Sequence, residues 1–295
     1  MAIVGRPNVG KSTLLNRFLG QKIAIVSPKP ETTRDRLLGI LTLPEAQLIF
    51  LDTPGIYRGA KTLLAKHQVQ AAREALQEAD LLLLMTEAQA GLTDGDREII
   101  RLLPTTPVFL AINKVDRIAK ERILPQMEQA AKAHPFREIF PISAVKGDNV
   151  HELLRALIQA LPEGPPLYPP DQVTDRPVRD MARELIREKA LLFTHEEVPH
   201  SVAVVIEEWR PGQVDARSGA QESKSTYIRA TLFVERDSQK RILIGKEGGL
   251  LKKIGQSARR EIEKLLEGPV YLDLWVKVER NWRRNPHLLR QLGYP

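Results

Sequence analysis

The sequence contains no cysteine. Disulfides and thiolate metal sites are therefore excluded, and a reducing compartment suits such a chain. It also lacks an apolar run of about 18 residues, the length a helix needs to cross a bilayer. The chain enters its first apolar segment at once, which reads as leaving no room for a signal peptide. The six histidines are scattered and none has metal-ligand spacing. No internal repeat is evident.

At 295 residues and 42% hydrophobic composition, the chain predicts about two domains with packed cores. The net charge is +7, and its placement is informative. Residues 236–290 hold 14 Lys/Arg and 7 Asp/Glu, while the rest of the chain balances at zero. A basic concentration of this kind is the electrostatic footprint of a nucleic-acid surface, although a solvated helix face also carries such charge.

The stretch Gly5-Arg6-Pro7-Asn8-Val9-Gly10-Lys11-Ser12 reads G-x-x-x-x-G-K-S, a phosphate-binding loop. Apolar Ala2-Ile3-Val4 before it predicts a buried strand. Thr13 to Leu19 after it predicts a helix closed by Gly20. Such a loop turns its backbone N–H groups, from Asn8 and Val9 through Thr13, toward phosphates at a helix N-terminus. Lys11 reaches the β- and γ-phosphates, and the Ser12 hydroxyl holds magnesium. Further on, Asp52-Thr53-Pro54-Gly55 follows a predicted strand. Asp52 there is placed to hold magnesium through water, and the Gly55 N–H to sense a γ-phosphate.

Strands and helices alternate up to about residue 161, which predicts a mostly parallel sheet with right-handed crossovers. Each motif falls at the C-terminal end of a strand, where open α/β sheets bind ligands. Asn113-Lys114-Val115-Asp116 reads N-K-x-D. The Asp116 carboxylate can accept from guanine N1–H and N2–H2 together, an arrangement adenine lacks, and such sites discriminate by about 10⁴. Lys114 can lie over the base, Asn113 can tie the loop to the phosphate loop, and Ser143-Ala144 can offer a backbone N–H to guanine O6. Four elements in this order predict a GTPase with GTP or GDP and Mg²⁺ as ligands.

Six prolines in residues 162–177 predict an extended, semi-rigid connector. Residues 1–162 are then the nucleotide domain, 163–177 a linker and 178–295 a second domain. The second domain reads helix, strand, strand, helix, G-x-x-G, helix, strand, with a polar hairpin loop between its first two strands. This order resembles a type II KH domain, an α+β RNA-binding fold. Gly245-Lys246-Glu247-Gly248 is its candidate backbone clamp, and Lys252, Lys253, Arg259 and Arg260 add charge behind it. Trp282, Arg283 and Arg284 read either as a stacking and charged tail or as plain packing.

The set G-R-P-N-V-G-K-S, T-T-R, D-T-P-G, N-K-V-D and S-A, with the signature from Leu161 to Pro177, resembles the Era family over essentially the whole chain. That resemblance implies a GTP-hydrolysing, RNA-binding switch in small ribosomal subunit assembly, with the KH domain on the 3′ region of the small-subunit ribosomal RNA. It implies a cytoplasmic monomer, with peripheral inner-membrane association. It makes Thr33 the switch threonine on magnesium and γ-phosphate, although spacing alone does not separate it from adjacent Thr32. Lys11, Thr33 and Gly55 become the catalytic set. Ile56 stands where Ras-like enzymes carry a water-orienting glutamine, so slow intrinsic hydrolysis is expected. Asn8 matches an asparagine that similar GTPases use to hold potassium, and a loop-stabilising hydrogen bond serves the position equally. Two alternatives stay open: a potassium-type GTPase of tRNA modification or large-subunit assembly, and an RNA-binding module with a structural nucleotide site.

Overall fold

A computed structural model describes residues 1–29, 32–34, 36–56, 63–212 and 225–292. The expected hairpin loop at 213–224 and residues 57–62 after Ile56 lie outside the described residues. The chain forms two compact units, in the main divided between Asp175 and Arg176.

The first unit is built on a six-stranded sheet. Its strands are β1 (Ala2–Gly5), β2 (Leu37–Thr42), β3 (Gln47–Asp52), β4 (Leu82–Glu87), β5 (Val108–Asn113) and β6 (Ile139–Pro141), in the order β2-β3-β1-β4-β5-β6. Only β2 runs antiparallel, joined to β3 by the short turn after Leu43. Parallel strands need crossovers, and helices α1 (Lys11–Leu19), α2 (Leu63–Glu78), α3 (Asp94–Leu102) and α4 (Ile123–Ala133) lie in them, while α5 (Val150–Ala160) follows the last strand. With helices over both faces, the central strands cannot alternate apolar and polar residues. β1 and β5 are accordingly buried at every position. α1 ends on Gly20, whose φ of 66° lets its N–H return to the Arg17 carbonyl.

The proline-rich stretch differs from the expected connector. Val173 O accepts from the Ile40 N–H at 2.8 Å, and Thr174 Oγ1 donates to Leu38 O at 2.7 Å. Gln47 Oε1 accepts from the N–H groups of Leu167 and Tyr168, and its amide donates to Tyr168 O. Proline keeps the segment extended, and β2 has an open edge for an extended segment to satisfy. Residues through Asp175 therefore belong to the first unit.

The second unit comprises α6 (Val178–Phe193), α7 (Val198–Ser201), β7 (Ala203–Arg210), β8 (Thr226–Val234), α8 (Asp237–Ile244), α9 (Gly249–Leu266), β9 (Val270–Val278) and α10 (Pro286–Gln291). β7 pairs antiparallel with β8, and β8 pairs parallel with β9. The inward residues Ile228, Ala230, Leu232, Val234, Val270 and Val276 pack against Ile186, Ala190, Leu243, Ile254, Ala258 and Ile262 of the helices. The order and pairing are those of a type II KH fold. Trp282 is fully buried and its Nε1 donates to Ser201 O at 3.0 Å. Its reading as a stacking tail residue is therefore wrong: the ring is packing. Among the described residues, no helix is long and apolar enough to cross a membrane.

Candidate functional site

β1 delivers the chain into the phosphate loop, and α1 begins at Lys11. Lys11 is only 6% exposed, and its Nζ donates to the carbonyls of Gly5 (3.1 Å) and Arg6 (3.0 Å). Burial lowers the Lys11 pKa to about 8, against the opposing charge of Asp52. Ser12 Oγ donates to Asp52 Oδ2 at 2.7 Å and lies 3.1 Å from Thr33 Oγ1. Three oxygens from three separate elements, one of them a carboxylate, make a donor set suited to a hard cation that keeps water and phosphate ligands. Thr33, rather than Thr32, stands beside Ser12.

The base-side loop is tied to the phosphate loop. Asn113 Nδ2 donates to Val9 O at 2.7 Å, and its Oδ1 accepts from the Ala144 N–H at 3.0 Å. Gly10 adopts a φ of 107°, and a Cβ there would run into the Asn113 amide nitrogen. Ser143 Oγ donates to Asp116 Oδ1 at 2.7 Å. That bond is the largest influence on Asp116 and holds its pKa below the usual carboxylate value, against a partial opposing effect of burial. The exposed carboxylate is thereby oriented by Ser143 and favoured in its ionised form. The Ala144 N–H differs from expectation, since Asn113 engages it and it serves to brace the loop. Lys114 takes a φ of 66° and its Nζ lies 3.0 Å from Glu87.

Two supports escaped the motif reading. Gly55 packs so closely on Pro7 that a Cβ would sit 2.5 Å from the Pro7 nitrogen, so the strand-end glycine and the phosphate loop are in direct contact. Arg6 Nε donates to buried Asp96 at 2.8 Å, and Asp96 also accepts from Thr93 N and Oγ1 at the start of α3. The Thr93–Asp96 spacing is a capping box, the signal that places this carboxylate at a helix start. Asn8, with a φ of 64°, is exposed on the shoulder between these supports, and Ile56 is buried beside them.

In the second unit, Gly245 and Gly248 both take positive φ and present Lys246 and Glu247 as an exposed tip. Behind it lies a groove of about 460 Å³ between α9 and β9. Leu251, Lys252, Gly255 and Arg259 line it from the helix, and Tyr271 and Leu274 from the strand. Gly255 lets the helix approach, because a Cβ would meet Leu274 at 3.3 Å. Lys253 is not in the groove. Its Nζ lies over the Phe193 ring at 4.4 Å, since adjacent helical residues point about 100° apart. The spacing 252, 256, 259 would have found the groove face.

Residues 1–114 match a family model described as a 50S ribosome-binding GTPase, and residues 197–283 match a KH domain. The chain is 48% identical to GTPase Era of Aquifex aeolicus, covering 100% of this chain and 98% of that one. It is 46% identical to GTPase Era of Geotalea daltonii, covering 100% and 96%. A crystal structure of Era with MgGDPNP and nucleotides 1506–1542 of 16S ribosomal RNA superposes with a TM-score of 0.93 at 47% identity, over 99% of this chain and 97% of that one. A single-residue variant of Aquifex aeolicus Era bound to GDP·AlF4⁻ gives a TM-score of 0.93 at 48% identity, over the same shares. A single chain that joins a guanine-type P-loop site to a type II KH groove, and aligns end to end with these proteins, belongs to the Era family of GTPases.

Proposed function

We propose that this GTPase binds GTP with magnesium in its first unit and the 3′ region of small-subunit ribosomal RNA in the groove of its second, and acts in assembly of the small ribosomal subunit. One observation carries the reading: the Asn113-braced N-K-x-D loop and the α9–β9 groove stand on the same chain. The 16S segment bound by the related Era supports the choice of RNA. The family description that names the large subunit spans residues 1–114 alone, which a KH domain does not enter.

In this reading Asp116 selects guanine, and Val9, Gly10 and Thr13 turn backbone N–H groups to the phosphates. Ser12, Thr33 and Asp52 would hold magnesium, which would neutralise phosphate charge. Lys11 neutralises the same charge from the protein side, and the Gly55 N–H meets the γ-phosphate. Water attacks phosphorus as the bond to the bridging oxygen breaks, so charge moves onto phosphate oxygens that Lys11 would neutralise once its Nζ turns to them from the Gly5 and Arg6 carbonyls. Ile56 cannot orient that water. Asn8 would hold potassium, which would supply the positive charge that other systems take from an arginine. The chain works as a monomer in the cytoplasm, with a peripheral membrane fraction implied by resemblance.

The test is a titration of the 16S 3′ segment against the protein loaded with GDP and with GDPNP, alongside GTP turnover in potassium and in sodium. Different affinities in the two nucleotide states are expected, and linkage then requires RNA to change nucleotide affinity by the same factor. Faster turnover in potassium is expected, with the difference removed by Asn8→Ala. Equal RNA curves would remove the switch, and equal turnover in the two salts would remove the potassium role.

A further inference from the structure

The sheet of the second unit has a second face, turned away from α8 and α9. Its register sets Arg210, Tyr227 and Tyr271 in one row, Glu208, Arg229 and Asp273 in the next, and Val205, Thr231 and Trp275 in a third. One end of the face is covered, because Ala203, Val205 and Phe233 pack with Trp282 and with Leu289 and Leu292 at the C-terminal helix. The β9 side of the face, beyond this cover, carries Tyr271 at 63% and Trp275 at 56% exposure, the exposed large aromatic side chains among the described residues.

These rings are held in place. Asp273 Oδ2 accepts from Tyr227 Oη (3.2 Å), Arg229 Nε (3.1 Å) and Trp275 Nε1 (3.1 Å). Tyr227 and Tyr271 are stacked with centroids 5.7 Å apart, and the guanidinium groups of Arg210 and Arg229 lie 5.6 and 5.8 Å from the Tyr227 ring. One carboxylate oxygen thus fixes three side chains, and the stack fixes the fourth. Exposed rings fixed by polar contacts, with their apolar faces left over, suit stacking on another π-system.

The cations of the face are already matched. Arg210 donates to Glu208 at 2.6 Å, Arg229 to Asp273, and Lys277 to Glu207 at 3.0 Å. The face is therefore poor at attracting phosphates and well made for bases. Tyr271 also lines the α9–β9 groove, and β9 is the edge strand, so the groove and this face are continuous around one strand.

We propose that an RNA strand seated in the groove continues around the edge of β9 and stacks one or two further bases on the exposed rings of Tyr271 and Trp275, which Tyr227 and Asp273 hold in place. This rests on the RNA reading of the groove. Stacking is tolerant of base identity, so the platform lengthens the bound segment without adding a sequence requirement.

The experiment uses the full chain loaded with GDPNP and a set of oligoribonucleotides from the 16S 3′ segment. The shortest has about four nucleotides, the number a KH clamp holds; the others extend it stepwise at either end. In the parent, extension at one end should tighten binding and quench Trp275 fluorescence, with little change in salt dependence. Trp275→Ala should bind the shortest RNA as the parent does and lose about tenfold on the extended ones. Trp275→Phe should keep most of that gain while losing the quench. Parent-like binding of every length by Trp275→Ala would overturn the platform while leaving the groove intact, and would leave the face to a protein partner. Equal weakening at every length would also overturn it, because the ring would then be acting on the groove. Failure of the parent to bind even the shortest RNA would overturn the groove reading itself.

Discussion

The two sites on this chain are built by opposite means. In the nucleotide site, Lys11, Asp52, Asp96 and Asn113 are buried and the polar groups are bonded to one another across five elements: Lys11 to the loop carbonyls, Ser12 to Asp52, Asn113 to Val9 and Ala144, and Arg6 to Asp96. In the RNA groove, the clamp tip is exposed, and Lys252 stands at the surface behind it. The first arrangement fixes each atom and suits a small ligand whose reacting centre tolerates little displacement. The second leaves space above glycine backbone, which suits a polymer backbone that passes by. Damage to the first should spread through the fold, while damage to the second should remain local.

The largest effect should come at Asp116. Asp116→Asn removes the acceptor pair for guanine and should weaken GTP by about 10⁴-fold relative to xanthosine triphosphate. Competition titration with GTP, ATP and XTP measures it, and a parent protein that bound ATP and GTP equally would overturn the assignment of the loop.

Two glycines sharpen the contrast. Gly10→Ala sets a methyl group against the Asn113 amide and should cost about 3 kcal/mol of stability together with nucleotide binding, through a buried hydrogen bond and backbone strain. Gly248→Ala has a similar positive φ, yet nothing lies within 4 Å of the new methyl, so about 1 kcal/mol is expected. Denaturant midpoints of both variants decide the matter. Equal losses would show that the two sites do not differ in the way described.

Replacing Lys246 and Glu247 together by Asp should weaken RNA by about tenfold and make its salt slope shallower by about one. GDP affinity should not change. A matching loss of GDP affinity would mean that the groove is as strongly coupled to the nucleotide site as that site's own residues are to each other.

The smallest effect is on pH dependence. Burial holds Lys11 near a pKa of about 8, and bound phosphate must raise it. The nucleotide complex therefore takes up protons above that pH, and nucleotide affinity falls as pH rises through it, by at most about tenfold per unit. Calorimetry at about pH 8.5, just above that pKa, in buffers of different ionisation enthalpy reads the uptake. No uptake would show that Lys11 is fully charged before nucleotide arrives.

The two units were not equally legible in the sequence. The nucleotide loop could be read because its chemistry demands particular residues at fixed spacing, and the strands before Gly5, Asp52 and Asn113 lie where the motifs require them. What escaped there was second-order: Asp96 under Arg6, Pro7 against Gly55, and the Ala144 N–H turned to Asn113. These depend on how α3 and the loops pack, which no short pattern encodes. In the KH unit the strand and helix order was plain, but charge alone grouped Lys252 with Lys253 and offered Trp282 as a stacking residue. A charged side chain's sequence neighbour lies on another helix face, and a tryptophan near the terminus can be as buried as any core residue. The alternation along β9, which separates Tyr271 and Trp275 from Leu272 and Leu274, was available and carries more than the charge count did.

The strap of residues 167–174 along β2 bears on how this protein could be divided. β2 is an outer strand of its sheet, and Ile40 donates its N–H to Val173. A fragment cut at residue 162 leaves that donor and the Leu38 carbonyl as an open ladder, the template on which chains add strands to one another. A fragment cut after Asp175 carries its own cover. The strap, with Pro169 and Pro170 inside it, is thus better regarded as a self-made edge guard than as a hinge, and the shorter fragment is the one that should self-associate in solution.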